Sequence, residues 1–241
     1  MKRIVIIPTY NEKENIQEII HAVFSLEKEF HILIVDDNSP DGTAEIVEKI
    51  QQNHKNTLFL LKRAGKLGLG TAYIEGFRYA LKNEYDLIFE MDCDFSHNPQ
   101  DLLRLSRECE ENRADVCVGS RYIRGVNVVN WPLGRVLMSY FAGVYVRFIT
   151  GIKVQDVTAG FVCYHRKVLE KLPLDKIKFI GYAFQIEMKF SAWKYGFHIL
   201  EIPIIFTDRT KGTSKMSVNV FKEALWGVFS MKIISLFKRY H

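Results

Sequence analysis

The stretch Asp86-Leu-Ile-Phe-Glu-Met-Asp-Cys-Asp94 joins a short apolar run to a pair of carboxylates. Its apolar residues predict a buried strand of a parallel sheet. Because side chains alternate along an extended chain, Asp92 and Asp94 point to one side and Cys93 to the other. Open α/β sheets bind ligands at the carboxyl ends of their strands, where two such carboxylates can hold one divalent cation. An arbitrary Asp-x-Asp is better explained as a solvated acidic turn, so the rest of the chain decides between the two interpretations.

Short apolar runs alternate with helical segments along the first half of the chain. Strands are predicted at residues 4–7, 32–35, 58–61, 87–91 and 116–118, with a last strand at 202–206. Helices are predicted at residues 12–29, 43–52, 70–83 and 99–112. This alternation predicts an α/β fold with a doubly wound, mostly parallel sheet. The polar segments that follow the strands then meet along one edge, which is the expected ligand crevice.

The two halves of the chain differ in charge. Residues 1–120 contain 14 Lys and Arg against 21 Asp and Glu, whereas residues 121–241 contain 19 against 7. The first half therefore suits a metal or a polar ligand, and the second half suits an anionic partner such as anionic lipid or nucleic acid. An ordinary solvated basic surface is the alternative for the second half.

Composition sets the size of the core and the expected compartment. The chain has 241 residues, of which 48% are hydrophobic, enough for one large core or a core with a subdomain. Its four cysteines lack the paired spacing of a disulfide framework or a zinc site. Only residues 4–7 are apolar before Pro8, which is too short for the hydrophobic region of a signal peptide. We therefore expect a cytoplasmic protein.

The segment Gly65-Lys-Leu-Gly-Leu-Gly70 is glycine-rich and precedes a predicted helix. Its spacing matches neither the dinucleotide-binding motif nor the P-loop. One interpretation is a flexible turn that starts the helix. The interpretation we favour places its backbone N–H groups and Lys66 beside a bound diphosphate.

Eight motifs follow one another along nearly the entire chain. They are Pro8-Thr-Tyr-Asn-Glu12, Asp36-Asp37 with Asp41-Gly-Thr43, residues 63–70, Asp92-Cys-Asp94, Gly119-Ser-Arg-Tyr122, Trp131 through Arg135 to Ser139, residues 156–161, and Arg209 through Gly212 to Lys215. This ordered set resembles the inverting glycosyltransferases of the Rossmann-like GT-A fold, and within them the dolichol-phosphate (polyprenol-phosphate) mannose synthases. The Asp-x-Asp pair is weak evidence alone, whereas the ordered set is specific.

The resemblance implies a guanosine diphosphate pocket and a metal site. The residues implied for the nucleotide and its phosphates are Pro8, Tyr10, Glu12, Val35, Asp37, Lys66, Asp92, Cys93, Asp94, Ser96, Arg121, Arg209 and Lys215. Mg²⁺ or Mn²⁺ is implied to bind Asp92 and Asp94, with Ser96 as a weaker third ligand where the family often carries Gln. The backbone of Cys93 is implied to pass close to the ribose or the metal. Glu12 also suits a helix start, because the helix dipole favours acidic side chains there.

The acceptor implied by the resemblance is a phosphate monoester, which needs no catalytic base because it is already an anionic nucleophile. It needs positive charge that holds it in line. Arg121 and Arg135 fit that task, since a guanidinium group binds phosphate through two parallel hydrogen bonds, and Ser139 lies one helical turn beyond Arg135. Asp94, Arg121 and Arg135 are therefore the predicted catalytic residues. Asp156 is expected to orient the sugar, to pair with an arginine, or to make a strand-end hydrogen bond.

No stretch approaches the roughly 20 apolar residues that span a bilayer. The two longest apolar segments, residues 136–150 and 218–237, are interrupted by charged residues and contain several aromatic residues. This composition is typical of helices that lie in a membrane interface, with core packing as the alternative. We expect a glycosyltransferase domain over residues 1–215 and an amphipathic helix within 216–241. That helix is expected at the cytoplasmic face of the membrane, alone or with small membrane-anchoring subunits.

The leading hypothesis is transfer of mannose from GDP-mannose to a polyprenyl or dolichyl phosphate. It includes inversion at the anomeric carbon and dependence on a divalent metal. The alternative is a related inverting family 2 glycosyltransferase that uses a UDP-sugar or a different acceptor. A third hypothesis is a non-catalytic protein that binds acidic membranes or nucleic acid. The intact Asp92 and Asp94 pair argues against it, and no nucleic-acid-binding module is recognisable.

Overall fold

The computed structural model describes residues 1–181, 183–209, 218–237 and 240. The strands are β1 (Arg3–Thr9), β2 (His31–Asp36), β3 (Leu58–Lys62), β4 (Leu87–Glu90), β5 (Val116–Ser120), β6 (Val128–Val129), β7 (Val162–His165), β8 (Ile199–Pro203) and β9 (Phe206–Thr207). The helices are α1 (Ile16–Phe24), α2 (Thr43–Gln51), α3 (Leu69–Lys82), α4 (Asp101–Glu110), α5 (Leu133–Thr150), α6 (Arg166–Lys171), α7 (Ala183–Lys194) and α8 (Val218–Phe237). A short 3-10 turn covers Leu174–Lys176.

Seven strands form one sheet in the order β3-β2-β1-β4-β7-β5-β8. Strands β1 to β4 are parallel, β5 and β8 are parallel, and β7 is antiparallel to both of its neighbours, β4 and β5. The prediction of a mostly parallel sheet is therefore confirmed. The first predicted helix, residues 12–29, is shorter than expected, because residues 10–15 form a turn before α1 begins.

Strand β7 is not predicted by the sequence pattern, and its position matters for the site. It lies between β4 and β5, which therefore are not neighbours. Because β7 runs opposite to both, its amino end lies at the carboxyl ends of β4 and β5. Residues 156–161, which precede β7, consequently enter the ligand-binding edge of the sheet.

Alternating residues of the central strands supply two hydrophobic cores. In β1, Val5 and Ile7 pack with residues of α1, α2 and α4 on one face. Ile4 and Ile6 pack with residues of α3, α6 and α7 on the other face. The sheet is covered on both sides, which is why its strands are continuously apolar.

The predicted strand at residues 202–206 is two strands. Strand β8 ends at Pro203, although the N–H of Ile204 still donates to the carbonyl of Ser120 at 3.1 Å, and β9 begins at Phe206. Strand β9 pairs with β6 in a separate two-stranded ribbon. Thr207 N donates to the carbonyl of Ser96 at 3.3 Å, so the ribbon lies against the loop that follows β4.

Helices α5 and α8 pack against each other, and the amino group of Lys232 donates to the carbonyl of Thr150 at 3.2 Å. Both helices expose many apolar side chains, which we call the apolar platform. Its residues are Leu133, Leu137, Met138, Tyr140, Phe141, Val144, Phe148, Trp226, Phe229, Ile233, Ile234, Leu236 and Phe237. Among the described residues, none of the helices combines the length and the apolar character needed to cross a bilayer.

Candidate active site

The two carboxylates of the Asp-x-Asp motif follow β4 near the middle of the sheet. Asp94 is buried, and its Oδ1 accepts hydrogen bonds from the N–H (3.1 Å) and the hydroxyl (2.6 Å) of Ser96. Cys93, which lies between the two aspartates in the sequence, packs into the hydrophobic core. The hydroxyl of Ser96 therefore holds Asp94 in place, and its own role as a metal ligand stays a prediction.

The electrostatics of the pair fit a divalent cation. Burial raises the pKa of Asp92 to about 7, and the charge of Asp94 adds to the rise, whereas Arg209 opposes it. A divalent cation between the carboxylates would offset both effects, and oxygen ligands of this kind suit Mg²⁺ or Mn²⁺. Among the described residues there is no cluster of three or more His, Cys, Asp or Glu side chains able to hold a metal. Two carboxylates completed by oxygen atoms of a bound diphosphate are the arrangement that fits.

Arg209 forms an ion pair with the second carboxylate of the Asp-x-Asp motif. Its Nη2 is 3.0 Å from Oδ2 of Asp94. The residue implied for the donor phosphates is thus paired with the carboxylate implied for the metal. Lys215, the other residue implied from this segment, lies outside the described residues.

The residues implied for the nucleotide follow β1 and β2. Pro8 and Val35 are register partners near the ends of these strands. The amino group of Lys66 lies 4.9 Å from the ring centroid of Tyr10, a cation–π distance. Glu12 is close enough to the carboxylate pair to contribute, after burial and the partner carboxylate, to the raised pKa there. These elements therefore converge on the same edge of the sheet.

Asp37 is engaged with the protein through both of its oxygens. Oδ1 accepts from Nη1 of Arg63 at 2.6 Å, and Oδ2 accepts from the N–H of Leu67 at 3.2 Å. Burial raises the pKa of Asp37, and the charge of Arg63 opposes the rise. Asp37 thereby ties the end of β2 to the glycine-rich segment, and its contact with the base or ribose stays a prediction.

Two N–H groups of the glycine-rich segment donate to acceptors elsewhere in the protein. Leu67 N donates to Asp37, and Gly70 N donates to the carbonyl of Ile180 at 2.8 Å. These two groups are not directed at a diphosphate, contrary to the interpretation favoured from the sequence. The placement of Lys66 and the other N–H groups of the segment beside a diphosphate stays a prediction.

Residue 70 has to be glycine because Phe179 and Phe184 lie very close to its backbone. A methyl group there would lie 2.7 Å from the carbonyl oxygen of Phe179 and 2.8 Å from the ring of Phe184. We expect Gly70→Ala to lower the free energy of unfolding by about 1–3 kcal/mol, although Ala favours helix. Urea denaturation measures the change. Gly134→Ala in α5, where nothing lies within 4 Å, is the control and should be neutral or stabilising; equal midpoints for both variants would contradict the close approach.

Arg121, which follows β5, forms a buried ion pair with Asp156. Oδ2 of Asp156 accepts from N (2.9 Å) and Nε (2.7 Å) of Arg121, and Oδ1 accepts from Nη2 (2.7 Å). Burial alone would raise the pKa of Asp156, but the charge and hydrogen bonds of Arg121 hold it below its usual value. Of the roles expected for Asp156, the structure shows pairing with an arginine. The contact of Arg121 with phosphate stays a prediction.

Arg135 lies in the first turn of α5 and is more accessible, with 29% of its side chain exposed. Its Nη1 donates to Oδ1 (3.0 Å) and Oδ2 (2.9 Å) of Asp208. Its guanidinium carbon lies 4.1 Å from the ring centroid of Trp131. Asp208 directly precedes Arg209, so two consecutive residues hold Arg135 and Asp94.

Besides the partly exposed Asp208, some buried polar residues near the site are not predicted by the sequence, and His97 and Lys189 are two of them. His97 stacks on Phe161 at 4.8 Å between ring centroids, and burial lowers the pKa of His97 to about 4, so its ring is neutral. Lys189 is completely buried in α7 and donates to the carbonyl of Ala159 at 2.6 Å. The signal for Lys189 in the sequence is a charged residue within the largely apolar helix α7, which also carries Glu187. Both residues support the loops that carry the site.

A mostly parallel sheet with a carboxylate pair after its central strand, faced by arginines from later segments, defines a glycosyltransferase of the GT-A type. The match to known families agrees with that class. Residues 4–173 match the model of Glycosyl transferase family 2, so the chain belongs to this family and is an enzyme.

Curated relatives span nearly the whole chain. A polyprenol monophosphomannose synthase from Mycolicibacterium smegmatis is 42% identical over 232 residues, covering 94% of this chain and 87% of the relative. An undecaprenyl-phosphate mannosyltransferase from Micrococcus luteus is 39% identical over 233 residues, covering 95% of each chain. Among solved structures, a mannosyltransferase from Pyrobaculum calidifontis in complex with GDP-Man and Mn²⁺ is similar with a TM-score of 0.59 and 15% identity. That similarity covers 98% of this chain and 74% of the other.

Proposed function

We propose that the enzyme transfers mannose from GDP-mannose to a polyprenyl or dolichyl phosphate, with inversion at the anomeric carbon and with Mg²⁺ or Mn²⁺ as cofactor. The observation that carries the proposal is the position of Arg135. It begins helix α5, is linked through Asp208 and Arg209 to the carboxylate pair, and shares its helix with exposed apolar residues. A guanidinium group at the end of an apolar helix surface suits an acceptor with an anionic head and an apolar tail.

The relatives support the same acceptor class. Those from M. smegmatis and M. luteus are named for polyprenol and undecaprenyl phosphate, and both are named for mannose. The donor follows from the resemblance of the motifs, and the GDP-Man bound by the P. calidifontis enzyme is consistent with it.

The described residues support an in-line displacement. Asp92 and Asp94 would hold a divalent cation, which would supply a Lewis acid to offset the charge that develops on the leaving GDP. Lys66 and Arg209 add positive charge at the diphosphate. Arg135 holds the acceptor phosphate, whose oxygen attacks the anomeric carbon on the face opposite the diphosphate. The oxygen is already anionic, so no side chain has to remove a proton.

Radiolabelled donors tested with farnesyl phosphate and Mn²⁺ examine this function directly. We expect transfer from GDP-mannose, a β-linked mannosyl phosphate by NMR, and competition by GDP rather than UDP. Transfer from a UDP-sugar instead would establish the alternative donor. Transfer to a hydroxyl acceptor but not to the phosphate would contradict the proposed acceptor.

The apolar platform supports peripheral attachment at the cytoplasmic face of the membrane. Phe148 is 85% exposed and Phe141 is 60% exposed on α5, beside the exposed residues of α8. Burying one such side chain in the acyl boundary contributes about 1.5–3 kcal/mol. An acceptor phosphate at the bilayer surface is then within reach of Arg135.

The double substitution Phe141→Ser and Phe148→Ser tests this attachment. We expect vesicle affinity to fall by at least about tenfold, because at least 1.4 kcal/mol of burial is lost, while GDP binding and stability stay unchanged. Sedimentation with vesicles containing anionic lipid measures it. Ile205→Ser, which removes an exposed apolar residue outside both helices, is the control. Full sedimentation of the double variant would show that α5 is not the element that binds the membrane.

A further inference from the structure

Asp208 and Arg209 connect the two halves of the site. Arg209 contacts Asp94, the carboxylate implied for the metal, at 3.0 Å. Asp208 accepts both hydrogen bonds from Nη1 of Arg135, the residue proposed for the acceptor phosphate. The N–H of Asp208 donates to the carbonyl of Val129 at 3.0 Å. A carboxylate beside Arg135 competes with an incoming phosphate for the same guanidinium group.

We propose that Asp208 is a positioning residue that withholds Arg135 from the acceptor phosphate until the metal and the nucleotide draw Arg209 away from Asp94. This inference rests on the proposed function and adds to it a residue that controls access to Arg135.

The charges of the neighbouring residues favour such an exchange. Arg209 already supplies a positive charge to the carboxylate pair, so a divalent cation and Arg209 compete for Asp94. Once the cation binds, Arg209 loses that partner and turns to the diphosphate, whose negative charge attracts it. Oδ1 of Asp208 also accepts from the backbone N–H of Arg209 at 3.1 Å, so a shift of Arg209 changes the position of this carboxylate relative to Arg135.

The ion pair between Arg135 and Asp208 is suited to being exchanged. Its side chains are 29% and 27% exposed, so solvent weakens it compared with the buried pair of Arg121 and Asp156. The ring of Trp131 keeps the guanidinium group of Arg135 in place at 4.1 Å when the carboxylate leaves. Arg135 is then already oriented for a phosphate.

Calorimetric titration of the full-length protein with farnesyl phosphate, with and without Mn²⁺ plus GDP, tests this role of Asp208. Wild-type protein is expected to bind the probe about fivefold more tightly with Mn²⁺ and GDP. In Asp208→Asn the affinity without them should rise by about fivefold, so the difference falls below about twofold. Asp208→Glu should restore the dependence. Asp175→Asn, which breaks an exposed pair with Arg78 far from the site, should behave as wild type.

A second measurement tests the contact between Arg209 and Asp94. Without nucleotide, Arg209→Gln should bind Mn²⁺ about fivefold more tightly by electron paramagnetic resonance, because a competing positive charge is gone. Unchanged Mn²⁺ affinity in this variant, or an unchanged dependence on Mn²⁺ and GDP in Asp208→Asn, overturns the inference. Equal affinities of the wild type with and without Mn²⁺ and GDP overturn it as well, but leave the proposed function intact. Failure of farnesyl phosphate to bind any form overturns the proposed function together with the inference.

Discussion

Asp94→Asn is expected to lower sugar transfer by at least about 10³-fold, which corresponds to about 4 kcal/mol of lost transition-state stabilisation. The amide keeps the shape of the side chain and an oxygen that accepts from Ser96, so the loop after β4 stays in place. What is lost is the negative charge that attracts the cation. Initial rates at saturating donor and acceptor measure the effect, and calorimetric titration with Mn²⁺ measures the loss of metal affinity.

The control for this prediction is Asp86→Asn. Asp86 precedes the same strand at its amino end, where its Oδ2 accepts from the N–H of Lys2 at 2.7 Å. The same loss of charge at the opposite end of β4 should leave transfer near the wild-type rate. Near-normal turnover of Asp94→Asn in buffer stripped of metal and then replenished would contradict the assignment of the metal site.

Asp156→Ala is expected to lower the free energy of unfolding by about 3–5 kcal/mol, because it leaves the buried charge of Arg121 unpaired. The side chain of Asp156 is fully buried, and three hydrogen bonds from Arg121 end on it. Urea denaturation followed by circular dichroism measures the change.

A double-mutant cycle with Arg121→Met completes this test. Removing both partners should cost less than the sum of the single changes, since no unpaired charge remains. Additive costs, or a cost of less than about 1 kcal/mol for Asp156→Ala, would show that the pair does not hold the segment together.

The sequence alone predicts those strands that are marked by a local apolar run followed by a helical segment. The first five strands follow from apolar runs, and the carboxylate pair follows from its place directly after one of them. Strand β7 could not be predicted in the same way, because its four residues pair antiparallel with β4 and β5, which are distant in sequence. Its place in the sheet is decided by those long-range hydrogen bonds.

Side-chain partners at the site were less predictable than their positions. Arg121 and Arg135 were singled out as cations near an anionic acceptor, yet both are already paired with carboxylates, Asp156 and Asp208. Asp156 is a candidate partner because it belongs to one of the eight motifs, whereas Asp208 carries no pattern of its own. Its role depends on the short ribbon of β6 and β9, which the apolar periodicity of two-residue strands cannot reveal.

Residues 121–161 leave the sheet after β5 and return to it at β7, its hydrogen-bonded neighbour, where Val118 pairs with Val162. Arg121 and Asp156 join the two ends of this excursion, which carries Trp131, Arg135 and all of α5. Since both ends are anchored at one place, evolution can lengthen, shorten or replace the excursion at little cost to the rest of the sheet. Under the proposed function, acceptor recognition by Arg135 would therefore be free to diversify as one unit, with no change to the strand that precedes Asp92 and Asp94.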